Sequence, residues 1–202
     1  MTHRFKIAAQ QNSTKWYNAK ARLFPVASAG AVQIYDSASR SFVLHPDSQT
    51  GLVLGGPFFY FISTVNVDRL EPAFRISPLA GSIPPPEPVY EVVIVRPLRD
   101  PSISGDTEEG RAAFVAKLWQ VVGAAYNDGA HVDLRYAADG KITPDGDGPL
   151  VVEYLRCSGY EWIPEDDGAR QVCCDGALFE IAPGDRAACV LEPNQNNIRV
   201  YS

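Results

Sequence analysis

A chain of 202 residues with 46% hydrophobic content is long enough for one sizeable core and short for several. Its net charge of −6 argues against a nucleic-acid partner, which would want a basic patch. No apolar run reaches the roughly 18 residues of a spanning helix, and the first residues lack the apolar core of a signal peptide.

Residues 4–9 are expected as a first strand, with a polar turn over 11–14. Residues 16–20 read as a short helix or as irregular, and 23–27 as a strand. Two β runs, 31–35 and 41–44, are separated by a loop of hairpin length, and 45–50 is a polar loop. After the Gly55-Gly56-Pro57 breaker, residues 58–65 are rich in Phe, Tyr, Ile, Thr and Val, so a strand is predicted. Pro72 argues against a long helix at 68–74, and the prolines of 84–88 make a stiff extended spacer. Residues 89–95 are almost continuous β-formers with Glu91 as the one charge, the pattern of a strand covered on both faces.

One helix is predicted, over 107–126, with Asp106 and Glu109 as a capping-box-like pair. Phe114, Leu118, Val121, Val122 and Ala125 form its apolar stripe, and residues 127–129 end it. Residues 131–136 alternate, which predicts a strand opened by His131 with Val132, Leu134 and Tyr136 on one face. A Gly/Asp/Pro loop follows at 139–149, then a strand at 150–156. Residues 170–174 and 177–181 flank Asp175-Gly176 as a hairpin, and 187–191 is expected to pair with 198–201. Many short strands around one central helix predict a mainly β, α+β domain of sandwich or barrel-like form spanning 1–202.

Four cysteines without a leader read as free thiols in a reducing compartment, so a cytoplasmic protein with room for peripheral membrane contact is expected. They have no Cys-x-x-Cys spacing, and adjacent Cys173 and Cys174 point to opposite faces of a strand, which suits no single metal ion. Gly146-Asp147-Gly148 lacks the paired glycines and Thr of a nucleotide loop, and there is no Walker loop or G-x-G-x-x-G. Asp175-Gly176 is the preferred residue pair of a type I′ turn. The aromatic run Phe58 to Phe61, together with Phe114, either fills a core or lines an apolar pocket.

Four segments recur in the order of a known family. They are Arg69-Leu-Glu-Pro-Ala-Phe-Arg-Ile-Ser-Pro78, Val92-Val-Ile-Val-Arg-Pro97, Gly129-Ala-His-Val132 and the Asp175-Gly176 turn. In this the chain resembles the C-terminal half of the diacylglycerol kinase and sphingoid long-chain-base kinase family, particularly its fungal members, over roughly residues 52–181. The resemblance implies the β-rich C-terminal fold of the NAD kinase and diacylglycerol kinase-like superfamily, without the nucleotide-binding domain that precedes it. It also implies a lipid partner, a sphingoid base or diacylglycerol, with ATP and magnesium used by the complete family enzyme and neither expected for this chain alone.

The family's Asp-Gly-Glu turn places Asp175 as the catalytic carboxylate that orients or deprotonates the lipid hydroxyl for attack on the γ-phosphate. Ala177 stands where the family has its Glu. Phe58, Phe61 and Phe114 become candidates for an acyl-chain pocket, and His131 a further substrate-binding candidate. The family's acidic, metal-associated patch falls between Pro78 and Val92, where Glu87 and Glu91 are the only carboxylates. Two functions follow as expectations: the lipid-binding half of an ATP-dependent lipid kinase, inactive alone and completed by a nucleotide-binding domain or partner protein, or a non-catalytic module that keeps the fold to bind lipid or protein.

Overall fold

The computed structural model describes residues 13–48 and 50–191. In chain order its elements begin with β1 (Ala19–Phe24), β2 (Gln33–Asp36), β3 (Ser41–Leu44), β4 (Leu52–Gly55) and β5 (Tyr60–Thr64). The one-turn helix α1 (Leu79–Ser82), β6 (Tyr90–Val95) and the long helix α2 (Glu108–Tyr126) follow. Short β7 (Arg135–Tyr136) and β8 (Ile142–Thr143) precede β9 (Val152–Cys157) and β10 (Gly159–Pro164). Last come β11 (Gln171–Cys174), β12 (Ala177–Glu180) and β13 (Ala187–Val190). The class is mainly β with one principal helix, as composition and pattern predict.

Two antiparallel sheets carry the fold, one of five strands in the order β3-β2-β9-β6-β5 and one of four in the order β13-β10-β1-β4. Strand β6 explains how they stack. Val92 and Ile94 join a core with Ala21, Leu23 and Leu54 of the four-stranded sheet. Val93 and Val95 join a second core with Phe114, Leu118 and Val121 of α2. Successive strand side chains point to opposite faces, so an unbroken run of β-branched residues is what the middle layer requires. The result is three layers: sheet, sheet, helix.

Helix α2 follows its predicted stripe, with Phe114, Leu118, Val121 and Ala125 buried. Its cap differs from the expected Asp106/Glu109 pair. The Thr107 hydroxyl accepts from the Gly110 N–H at 3.1 Å, while Asp106 is drawn away into an ion pair with Arg111. The threonine sits one residue nearer and reaches the third helical N–H, as an N-cap must.

Other departures have equally local causes. Strand β1 begins at Ala19, where an irregular or helical stretch is expected. Its Ala-Lys-Ala-Arg-Leu run is built of helix formers, but the buried Ala19, Ala21 and Leu23 alternate with exposed Lys20 and Arg22. Lys20 pairs outward with Glu165 at 2.7 Å. Strands β4 and β10 lie where no element is predicted, and β13 pairs with β10. The expected strands at 4–9 and 198–201 lie outside the described residues.

Residues 130–133 form a 3-10 turn, so the strand predicted from 131 shrinks to Arg135–Tyr136. The cause is the exit from α2, where Asp128 and Gly129 both take positive φ, 55° and 77°. A Cβ at Gly129 would run into Pro78, so only glycine lets the backbone pass this close. Val132, Leu134 and Tyr136 are nonetheless all buried in the core under α2.

Candidate functional site

The hairpin β11–β12 is built as its sequence demands. Asp175 and Gly176 have φ of 49° and 84°, the two positive values of a type I′ turn. Its base is fastened to the four-stranded sheet, where the Trp162 Nε1–H donates to the Ala169 carbonyl at 2.8 Å. The Asp166 carboxylate accepts from the Ala169 N–H at 2.9 Å and from the Asn18 amide at 2.9 Å. The arm itself stands clear, with every residue of β12 exposed.

Between this arm, β5 and β10 lies a cleft of about 600 Å³. That volume falls within the range of roughly 300–1,000 Å³ typical of small-molecule sites. Phe61 stacks at 4.9 Å from Tyr160 and 5.4 Å from Trp162, giving the cleft an aromatic wall. The Ser63 and Tyr160 hydroxyls share a 2.7 Å hydrogen bond within it. Asp175 lines the same space and is the only charged side chain among the described residues that do so; no Lys, Arg or His joins it.

Of the five residues singled out from sequence, the fold brings Asp175 and Phe61 together at this cleft. Phe58 lies directly beneath, fully buried, with its ring 5.0 Å from Trp162 and 6.3 Å edge-on to Phe61. Phe114 and His131 are elsewhere. Phe114 is fully buried against Trp16 in the core under α2. His131 is also fully buried, and its Nε2–H donates to the Ile76 carbonyl at 3.1 Å.

Burial holds the His131 imidazole down at about 4, with the hydrogen bond to the Ile76 carbonyl partly opposing the shift. The folded value is below the usual 6.5, so the neutral ring contributes stability above pH 6.5 that is lost as pH falls towards 4. Linkage puts that loss at about 3 kcal/mol. His131→Gln is therefore expected to flatten the acid limb between pH 7 and 4 by about that amount in urea titrations. An unchanged limb would place the acid sensitivity in other groups.

The carboxylates expected near a metal are both engaged. Glu87 accepts from the Ser28 N–H at 2.7 Å, and Glu91 is buried against Arg156, Oε1 to Nη2 2.8 Å. They do not fit a magnesium site. The stretch around Gly146 and Gly148 is likewise committed to a turn, with the Gly148 N–H donating to the Tyr136 carbonyl at 2.8 Å.

Tyr160 and Trp162 were not foreseen as site residues. The signal was their period-two spacing in Gly-Tyr-Glu-Trp-Ile-Pro, which puts both rings on one face of β10. Comparison with protein-family models, curated proteins and solved structures gives no match for this chain.

Proposed function

We propose that this chain is the lipid-receiving domain of a lipid kinase, and that the cleft under the β11–β12 hairpin takes a single-chain amphiphile of the sphingoid-base kind. The observation that carries this reading is the pairing of an aromatic wall with one carboxylate. An alkyl chain gains about 25 cal/mol for each Å² it removes from water. Phe61, Tyr160 and Trp162 offer it that surface. Asp175 then meets the polar head, where it favours an ammonium or a neutral hydroxyl and repels a carboxylate or phosphate.

In a complete kinase Asp175 would orient the hydroxyl or take its proton, a role of positioning and charge control. The sequence carries no Walker loop and no G-x-G-x-x-G motif. Glu87 and Glu91 favour the second reading, a binding module without catalysis, because both are already paired within the domain. The two readings share the same ligand and the same cleft.

The test is a binding titration with a fluorescent long-chain amine and a fatty acid of equal chain length. The amine is expected to bind more tightly. Asp175→Asn should keep binding but erase about 1 kcal/mol of that preference, roughly fivefold, the size of one charge contact exposed to water. Tighter binding of the fatty acid, or an unchanged preference in the variant, would contradict the assignment. ATP-dependent phosphorylation of sphingosine or diacylglycerol by this chain alone would overturn the binding-module reading.

A further inference from the structure

From the hydrogen bond that joins the two sheets at the cleft, we infer that the Ser63 and Tyr160 hydroxyls form a second polar subsite. It binds one uncharged oxygen, a hydroxyl or a carbonyl, carried on the chain of the amphiphile. The subsite rests on the cleft being the amphiphile site and adds a requirement on the ligand: its chain is not plain hydrocarbon.

The pair is built from both sheets. Ser63 belongs to β5, opposite Val92 in the β5–β6 register, and Tyr160 to β10 of the four-stranded sheet. Their oxygens lie 2.7 Å apart, and both residues line the cleft. The Tyr160 ring packs against Phe61 at 4.9 Å and Tyr90 at 5.4 Å, two contacts that fix where its hydroxyl lies. Phe61 and Trp162 continue the same wall, so an alkyl chain lying along the rings meets the pair.

The subsite's chemistry follows from its protons. Two hydroxyls carry two protons and share one hydrogen bond, in which either oxygen can be the donor. The other proton is left for a third group. Burial pushes the Tyr160 hydroxyl well above its ordinary range, so it stays protonated and neutral. Beside it is the Cys189 sulfur, opposite Tyr160 in the β10–β13 register, and a thiol is a weak acceptor. A hydrocarbon chain covering the pair strips water from that proton and returns no acceptor, which is unfavourable. A hydroxyl or ketone oxygen at that point of the chain accepts it. Asp175 lines the same cleft and repels an anion, so the oxygen is an uncharged one.

The full chain is titrated calorimetrically with long-chain primary amines of one length, below their micelle concentrations. The set comprises the plain amine and a series with a single hydroxyl or a single ketone at successive carbons. Oxygen at one stretch of the chain is expected to tighten binding about fivefold over the plain amine, the gain from meeting one buried donor. A gain with both kinds of oxygen marks the pair as the donor, whereas a gain with the hydroxyl alone narrows the ligand to alcohols. The double variant Ser63→Ala/Tyr160→Phe keeps the ring and removes both hydroxyls, an exchange of both partners that is close to neutral for stability. Its urea transition should match the parent's, its gain should vanish, and the plain amine should bind it at least as tightly. Binding of the plain amine with no gain at any position overturns the subsite, and so does a gain that survives in the double variant. If the variant does not fold, the parent series still decides, because a flat series is contradictory by itself. Failure of every amine to bind the parent overturns the amphiphile site, and the subsite with it.

Discussion

Arg156→Met is expected to destabilise the fold by about 3–5 kcal/mol, the cost of leaving a buried charge without its partner. The Arg156 and Glu91 side chains are 3% and 2% exposed, facing each other across the β6–β9 ladder. The guanidinium donates from Nε to Glu91 at 3.0 Å, pairs with the same carboxylate through Nη2 at 2.8 Å, donates from Nη2 to the Ile83 carbonyl, and lies 3.7 Å over the Phe42 ring. It thereby ties the start of the proline spacer to the middle sheet. Burial raises the Glu91 carboxyl, and Arg156 opposes that rise by hydrogen bond and charge.

Without the arginine, Glu91 would rise further and fold in its protonated form. A carboxyl raised above its unfolded value contributes stability below that unfolded value, and the contribution is lost as pH rises through the folded one. The Arg156→Met deficit should therefore shrink as pH is lowered towards 4.5. Glu91→Leu combined with Arg156→Met should recover most of the loss, since apolar replacement of both partners is often neutral. Urea unfolding of the two variants, with m compared to confirm a common native state, checks both points. A single variant as stable as the parent would mean that the pair is not desolvated.

The second large effect separates two neighbouring rings. Phe58→Ala should cost about 3–5 kcal/mol, because it empties a fully buried site between Phe61 and Trp162. Phe61→Ala removes a half-buried ring from the cleft wall, so its stability cost should be smaller. Its effect belongs in affinity: the long-chain amine should bind about tenfold more weakly, as expected for losing ~1.4 kcal/mol of apolar contact. If Phe61→Ala unfolds like Phe58→Ala and leaves affinity untouched, the ring is core and not wall.

These contrasts also explain what was legible in the sequence. The stripe of α2, the double-faced run of β6 and the Asp175-Gly176 turn each carry a strong local pattern, and each forms where its pattern puts it. Strand β1 was obscured because alanine, lysine and arginine favour helices while their alternation favours a strand, and burial decided the outcome. The depth of His131 could not be read from its neighbours. It depends on Gly129 passing against Pro78, a contact between segments about fifty residues apart in the chain. The cleft was half legible for the same reason. Phe61 and Asp175 were visible as residues, but the wall they share is completed by Tyr160 and Trp162 of β10, a strand with no prediction of its own.

The amphiphile cleft is tested most directly by filling it. Ala187 lines the cleft from β13 opposite Trp162, so phenylalanine at that position adds a ring to the open space while leaving the strand pairing intact. Purified parent and Ala187→Phe chains of equal stability would be titrated with the fluorescent long-chain amine. Saturable, one-to-one binding by the parent that is lost in Ala187→Phe is the predicted result. Equal binding by both chains, or none by the parent, would contradict it.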